Sequence, residues 1–234
     1  MGITRLKREM LSKNITCRIL GLGLSPFLIL ATDSVIIIIM NTVLQHYGGP
    51  KEGDLLITCA TIVQSYMMLI TGPMLGISSG TQAILSYNYG AKATRRVRKA
   101  ERCILLLCLC FTSLMFLLSR IVPQYFIGIF TRDPGLTDLC IWGIHIFTLM
   151  IVPLSFQYVF VDGFTALGRS KTALFLSLFR KGDYVLFTMI LPIFYGARSA
   201  FYAQPLADGI AAVMSTVAFL LIFKKHLQKQ EVSL

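Results

Sequence analysis

The sequence predicts an all-α, polytopic membrane protein with six transmembrane helices. Of its 234 residues, 55% are hydrophobic and only 14% are charged, whereas a soluble domain carries about 25% charged residues. Apolar segments long enough to cross about 30 Å of hydrocarbon recur along the whole chain. The Lys and Arg residues cluster between these segments, as they do in the cytoplasmic loops of membrane proteins.

The stretch from residue 80 to residue 102 fixes the predicted topology. It joins two apolar segments and holds six basic residues, opposed only by Glu101. A dense basic loop between two membrane-length segments indicates the cytoplasmic side. Asn88 and Gly90 are predicted to end the preceding helix, because both residue types tolerate the left-handed conformation that stops a helix.

The predicted organisation is a six-helix lobe between two polar segments. The lobe occupies residues 19–223, the cytoplasmic N-terminal segment residues 1–18 and the cytoplasmic basic tail residues 224–234. The six spans are predicted at residues 19–44, 55–85, 103–122, 139–167, 173–195 and 205–223. Pro26 interrupts the first span, Gly72-Pro73 breaks the second, and Pro123 stops the third, because proline lacks the backbone N–H of a helix interior.

The distribution of basic residues predicts the orientation. With six spans, 18 of the 22 Lys and Arg residues fall on one side of the membrane. This count places Arg180 and Lys181 in the first turns of the fifth span, on that same side. The asymmetry predicts a multi-pass protein of the plasma membrane with both termini in the cytoplasm.

Several function classes are excluded by the sequence. The net charge is +11, but the basic residues lie in loops without interleaved aromatic residues, so nucleic-acid binding is not indicated. The six cysteines lie in or beside apolar spans without metal-ligand spacing, which is typical of packing residues. Since no nucleophile elbow, phosphate loop or metal-ligand pair occurs, the sequence predicts neither an enzyme nor a resident cofactor or metal.

A set of short motifs occurs in order along the chain. They are Gly23–Phe27 (GLSPF), Gly48-Gly49, Gly80–Lys92 (GTQAILSYNYGAK), Phe164–Gly168 (FTALG), Leu191-Pro192 and Gln204–Asp208 (QPLAD). Together they resemble the C-terminal half of a multidrug and toxic compound extrusion (MATE) transporter of the MepA-like branch. The resemblance implies a transporter of twelve helices in two six-helix lobes, related by a pseudo-two-fold axis along the membrane normal. This chain is similar to the second lobe only.

The resemblance implies a lobe of a cation-coupled efflux antiporter. Such a protein uses an inward H⁺ or Na⁺ gradient to export organic, often cationic and amphiphilic xenobiotics. The implied partners are a small-molecule substrate, the lipid bilayer, and either the missing N-terminal lobe or a second copy of the chain. H⁺ or Na⁺ is transported as the coupling ion and is not a cofactor.

Two alternative functions remain open. One is a lipid-linked saccharide flippase of the same superfamily, which would want basic residues in the central cavity, whereas the basic residues here are predicted at the cytoplasmic ends. The other is a membrane fragment or partner subunit that keeps the fold without transporting.

Asp33 is the leading candidate for ion coupling. It lies about 14 residues from the cytoplasmic start of its span, or ~21 Å at 1.5 Å per residue, and ionisable residues this deep in a membrane are often functional. It matches the position of an acidic residue in the seventh helix of MepA-like relatives. The alternative is a protonated structural acid that is hydrogen-bonded to Thr32 or Ser34.

Asp162 and Tyr158 form the second candidate site. The resemblance implies it, because a Tyr-x-x-x-Asp pair in the tenth helix binds the cation of sodium-coupled relatives. When the helix ends are matched at Gly168, however, the family acid falls about six residues earlier, near Phe156. Both interpretations, a cation site and a coincidence of spacing, stay open.

Four further residues are candidates for the substrate cavity: Gln157, Gln64, Tyr66 and Met67. Methionine packs adaptably against varied apolar surfaces, although a core or lipid-facing position is equally compatible with the pattern. Two more acids, Asp54 and Asp208, begin predicted spans, where a carboxylate stabilises the helix N-terminus.

Overall fold

The secondary structure of the described residues is helical, as the composition predicts. In this computed structural model, residues 13–223 are described, and side chains for Phe27 and residues 31–222. The α-helices are α1 Lys13–Gly80, α2 Gln82–Gly90, α3 Thr94–Ile121, α4 Pro123–Ile127, α5 Pro134–Phe147, α6 Ile151–Ala166, α7 Ser170–Tyr195 and α8 Ala203–Ala218. A 3₁₀ turn, Ala197–Tyr202, precedes α8, and a π-helical turn, Phe219–Phe223, follows it.

Helix α1 consists of two arms that reverse direction at Gly49. This residue has φ 68° and ψ −172°, the single non-helical conformation within α1. A Cβ atom on Gly48 would lie 2.8 Å from the Gly53 backbone, and one on Gly53 would lie 3.1 Å from the Gln45 Cα. The glycines thus permit both the turn and the close approach of the two arms. The predicted loop over residues 46–54 is reduced to this turn.

The break predicted at Gly72-Pro73 is wrong. Helical dihedral angles continue through both residues, and the helix ends eight residues later, at Gly80. Proline removes only one backbone hydrogen bond, and buried side chains on either side, Ile70 and Met74, hold the helix against its neighbours.

Helix α2 ends at Gly90, as predicted, but the left-handed residue that follows it differs from the prediction. The left-handed residue is Lys92, with φ 56°, and neither Asn88 nor Gly90 has a positive φ. The Asn88 side chain instead donates a hydrogen bond to the Ile84 carbonyl inside the helix, at 2.8 Å. The helix therefore continues to Gly90 and turns just after it.

Helix α3 begins nine residues before the predicted third span, at Thr94, and ends at Ile121. The predicted stop at Pro123 is confirmed, because this proline opens the short helix α4. A proline at the first position of a helix loses no hydrogen bond, since that N–H has no partner within the helix.

The predicted fourth span is a bent pair of helices. Helices α5 and α6 meet at 49°, across a break at residues 148–150. Thr148 lies in this break, and its hydroxyl donates to the Ile144 carbonyl at 2.7 Å and lies 3.1 Å from the Ser119 hydroxyl. Pro153 is the third residue of α6, so its missing N–H costs no helical hydrogen bond.

The described residues contain several helical stretches that are long and apolar enough to cross a membrane. Three stretches qualify by length and apolar composition, and a fourth does if the bent pair counts as one span; the three are Ala31–Gly90, Thr94–Ile121 and Ala197–Ile222. The first has 60 residues, about 90 Å of helix, and the Gly49 turn divides it into two crossings. Helix α7 has a comparable length, 26 residues, but it is not among these stretches and carries charged side chains in its middle.

The helices are held together by two large apolar clusters and one small one. The first joins the two arms of α1 to α5 and the 3₁₀ turn, with Met40, Leu44, Leu56, Ile144, Phe147 and Phe201 fully or almost fully buried. The second joins α2, α3 and α6, and includes Leu85, Ile104, Phe160 and Phe164. The third is small: Tyr184, Ala203 and Ala207 pack α7 on α8, with Ile36 of α1 against them. This third cluster positions the charged residues described next.

Candidate functional site

Two basic residues lie in the middle of α7. Arg180 and Lys181 come ten and eleven residues after the first residue of the helix, Ser170, about 15 Å along its axis. Their side chains are 19% and 5% exposed, respectively. Their assignment to the first turns of the span, among the cytoplasmic loop charges, is therefore wrong. Basic groups this deep in a span require acidic partners from elsewhere in the lobe.

Lys181 pairs with Asp33. The distance from Lys181 Nζ to Asp33 Oδ1 is 2.7 Å, and the Asp33 side chain is 52% exposed while that of Lys181 is buried. The first arm of α1 thus supplies the acid and α7 the base. Asp33 has an ammonium partner that the sequence interpretation did not include.

Arg180 pairs with Asp208 on α8. Arg180 Nη1 lies 3.1 Å from Asp208 Oδ1, and Gln204 Nε2 donates to Asp208 Oδ2 at 2.7 Å. The Tyr158 ring of α6 lies against the guanidinium, 5.7 Å from its central carbon to the ring centroid. Asp208 has no exposed surface.

The role predicted for Asp208 is therefore wrong. The sequence interpretation placed it at the helix N-terminus, where it would stabilise the helix dipole. In the structure it is the sixth residue of α8, and its two oxygens are bound by Arg180 and Gln204. A fully buried carboxylate needs such partners, because an unpaired charge in this environment costs several kcal/mol.

We refer to Asp33, Arg180, Lys181 and Asp208 as the charge cluster. It contains two acids and two bases from three helices, so its formal charge is zero. Pairing in this way offsets the cost of removing the charges from water. Within the cluster only the Asp33 side chain is more than one-fifth exposed. Asp33 is therefore the member that a proton or a ligand can reach from outside the lobe.

Asp162 lies between α6 and the helices that precede α3. Ser78 Oγ donates to Asp162 Oδ2 at 2.5 Å, and Gln82 Nε2 donates to Asp162 Oδ1 at 2.8 Å. Ser78 belongs to the second arm of α1 and Gln82 to α2, so the carboxylate joins three helices. Both oxygens of Asp162 are engaged within the lobe.

Tyr158 and Asp162 share a face of α6, but their side chains contact different groups. Tyr158 contacts Arg180 of the charge cluster, whereas Asp162 contacts Ser78 and Gln82. The i, i+4 spacing brings them onto one side of the helix, as the sequence predicts. Ser78 links the two residues, because its hydroxyl also lies within hydrogen-bonding distance of the Tyr158 carbonyl, at 3.3 Å.

The candidate cavity residues are mostly packed inside the lobe. Gln157 is buried, donates to the Leu176 carbonyl at 3.2 Å and accepts a hydrogen bond from Ser215. Tyr66 and Met67 are also buried, and the Tyr66 ring lies 5.1 Å from that of Phe126. These three side chains are occupied by intramolecular packing in this conformation.

Gln64 and Asp54 lie nearer the surface. Gln64 is half-buried on the second arm of α1. Asp54 is exposed close to the Gly49 turn, at the start of that arm, in agreement with a position near a helix N-terminus.

The sequence and the fold were compared with known proteins. The family model described as MatE matches residues 27–190, more than two-thirds of the chain. No curated protein sequence matches this chain.

Solved structures match the whole fold. An outward-facing multidrug resistance MATE family transporter of the MOP superfamily matches with a TM-score of 0.80 and 17% identity, over 99% of this chain and 50% of its own. An inward-facing structure of such a transporter matches with a TM-score of 0.79 and 18% identity, over 94% of this chain and 50% of its own. A crystal structure of MATE in the straight conformation matches with a TM-score of 0.79 and 19% identity, over 94% of this chain and 48% of its own.

The chain spans about half the length of the transporters that it matches. At these identities the likeness establishes the fold, which is that of one half of a MATE transporter. The family model establishes the relationship by sequence. The chain is a multi-pass membrane protein and belongs to the MATE family.

Proposed function

We propose that this chain is the C-terminal lobe of a MepA-like multidrug antiporter, which exports organic cations in exchange for protons. The observation that carries the proposal is Asp33. It is a half-exposed carboxylate inside a MATE-family lobe, with its charge balanced by the buried ammonium of Lys181. This combination gives a carboxylate that is accessible and whose partner can be replaced.

Exchange follows from competition for one carboxylate. The Asp33 oxygens can be neutralised by Lys181, by a proton or by an organic cation. Each of these excludes the others, because two positive charges at one carboxylate repel each other. Mutually exclusive occupancy by proton and substrate is the requirement for antiport. The family to which the chain belongs consists of transporters, so a transport function is expected and an enzymatic one is not.

The charge cluster also bears on the flippase alternative. The prediction that basic residues lie only at the cytoplasmic ends fails for Arg180 and Lys181, and an anionic lipid-linked substrate would require bases in the lobe. Each of these two bases, however, is neutralised by its own carboxylate. The exposed member of the cluster is acidic, which favours a cationic substrate.

The remaining candidates take supporting roles in this proposal. Asp162 joins α6 to α1 and α2 through its two hydrogen bonds, and Tyr158 packs on the guanidinium of Arg180. Gln64 is the cavity candidate nearest the surface. Tyr66, Met67 and Gln157 become available to substrate only if the helices rearrange.

We place both termini in the cytoplasm and the Gly49 turn outside. The basic segment before and within the start of α3 supports this orientation; the terminal segments, residues 1–12 and 224–234, lie outside the described residues. In a cysteine-free background, a cysteine replacing the exposed Lys51 should react with a membrane-impermeant maleimide in intact cells. A cysteine replacing the exposed Lys99 should react only after the cells are opened. The reverse pattern would contradict the orientation.

We also propose that the chain works as one of two lobes. The chain covers half of the transporters that it matches, and the first arm of α1 exposes Val35 and Ile38 beside the half-exposed Asp33. A charged side chain that faces lipid is costly, so this face is suited to a partner lobe. The partner is either a second copy of the chain or a separately encoded first lobe. Gln157, expected from sequence to share this face, is buried between helices instead.

Cross-linking tests the pairing. Ala197 and Gly49 lie in predicted outer loops and would be the obvious cysteine positions. Ala197 is buried, however, and Gly49 has a positive φ, so exposed residues are better choices. Single cysteines replacing Lys51 or Arg132 should give a cross-linked species in membranes, either a homodimer or a complex with a co-expressed first lobe. A folded chain that stays monomeric in mild detergent and never cross-links at either position would exclude pairing and favour the non-transporting fragment.

A further inference from the structure

One acidic side chain outside the charge cluster, that of Glu101, is also buried. Glu101, in the second turn of α3, is 4% exposed. Neither of its carboxyl oxygens has a hydrogen-bond partner among the described residues. An ionised carboxylate in such a place would be strongly destabilising, because burial of an unpaired charge costs several kcal/mol.

The carboxyl group is held against α6 at Gly163. A Cβ atom on Gly163 would lie 2.6 Å from Glu101 Oε1 and 3.3 Å from Oε2. No side chain larger than hydrogen fits there while Glu101 keeps its position. The contact is thus a specific close approach between α3 and α6.

The groups around Glu101 do not neutralise it. From α6, Asp162 acts on it with a like charge, and from α2 Tyr89 packs on the apolar cluster to which Ile104 of α3 belongs. On α3 itself, Arg98 and Arg102 flank it in sequence, but both are exposed to the outside of the lobe.

We propose that Glu101 is a second proton-binding site, which holds a proton while α3 and α6 are packed together and releases it when they separate. The neutral acid removes the cost of a buried charge, so protonation and helix packing favour each other. The proton comes from water at the end of the helices, binds one carboxylate oxygen, and returns to water as the same O–H bond breaks. This site does not depend on the proposed role of Asp33.

A proton fits this site better than a metal ion. Among the described residues, no three His, Cys, Asp or Glu side chains are grouped so that they could hold a metal. Asp162 is the acidic neighbour, and its two oxygens are already engaged by Ser78 and Gln82. A cation at Glu101 would therefore lack the several oxygen ligands that hard metal ions take.

Infrared spectroscopy of the purified full chain tests the proposal directly. At neutral pH the wild type should show the C=O stretch of a protonated carboxyl group that disappears in Glu101→Gln. Thermal stability supplies a second readout. It should fall as the pH rises above the ordinary pKa of a glutamate side chain, about 4.3, because the native state holds a proton that the unfolded chain releases. In Glu101→Gln, a permanent neutral isostere, this part of the pH dependence should be absent.

A substitution at Gly163 tests whether stability depends on where the Glu101 carboxyl group lies. Gly163→Ala should displace Glu101 and lower stability, and Glu101→Ala in the same chain should restore most of the loss, because it removes the clash. Gly76→Ala is the matched control, since it also adds one methyl group to a helix but meets nothing within 4 Å. A carboxyl band unchanged by Glu101→Gln, together with an unchanged pH profile, would overturn the proposal.

Discussion

Replacing Asp33 with asparagine is expected to abolish efflux of an organic cation from cells whose transport depends on this chain. Asparagine is close in shape to a protonated aspartic acid, but it can neither release a proton nor attract a cation. The same change leaves the buried ammonium of Lys181 without its carboxylate. Because the cost of losing a charged hydrogen-bond partner is about 1–3 kcal/mol, we also expect a lower thermal stability of the purified protein.

The loss of stability must be separated from the loss of coupling. The double variant Asp33→Asn/Lys181→Gln removes both charges and should recover much of the stability, since the ammonium that lost its carboxylate is removed as well. It should nevertheless stay inactive. Lys181→Gln alone is the third member of the set and keeps the acid. Normal efflux by Asp33→Asn would make Asp33 a structural residue and remove the basis of the proposed antiport.

The largest effect on stability is expected at Arg180 and Asp208. Arg180→Met should destabilise the lobe by about 3–5 kcal/mol, because it leaves a buried carboxylate without its guanidinium. Asp208 has no exposed surface and keeps only the Gln204 amide as a hydrogen-bond donor after this change. Thermal unfolding in detergent and the amount of protein in the membrane are the measurements.

Two further variants determine whether the buried charge is the cause. Arg180→Met/Asp208→Asn removes the charge and keeps a polar partner for Gln204, so most of the stability should return. The chain also contains an exposed ion pair, Arg198 with Glu52 at 3.0 Å. Arg198→Met should change the stability by less than about 1 kcal/mol. Equal effects of Arg180→Met and Arg198→Met would contradict the assignment of Arg180 to a buried pair.

The fold could be predicted from sequence because its signals are local. Long apolar segments between basic loops specify helices and crossings, and the stop at Pro123 follows from the chemistry of one residue. The break at Gly72-Pro73 could not be predicted correctly, because whether a proline bends a helix depends on the packing around it. The end of α2 at Gly90 follows the prediction, but the left-handed residue is Lys92 instead of Asn88 or Gly90.

The site could be predicted only in part, because its partners are distant in sequence. Asp33 was found as an acid inside an apolar span, but Lys181 lies 148 positions further along the chain. Arg180 and Lys181 were placed in the first turns of their span and counted with the cytoplasmic charges, because charged residues usually lie near the ends of a span. One signal was present, since these bases lie seven and eight residues inside the predicted span of residues 173–195, where charges without partners are costly.

Glu101 shows the same limit. In the sequence it is the one acid within a run of basic residues, which suggests a solvated loop. In the structure its side chain points into the lobe and lies against Gly163. Only this three-dimensional contact distinguishes the buried acid from an exposed one.

The central claim is that a proton and an organic cation compete for Asp33. Binding of tetraphenylphosphonium to the purified protein at a series of pH values tests it most directly. For the wild type, the account predicts an affinity that falls as the pH falls, because protonation removes the charge that attracts the cation. In Asp33→Asn/Lys181→Gln it predicts weak binding that does not vary with pH. Binding of equal strength and equal pH dependence in the two proteins would contradict the account.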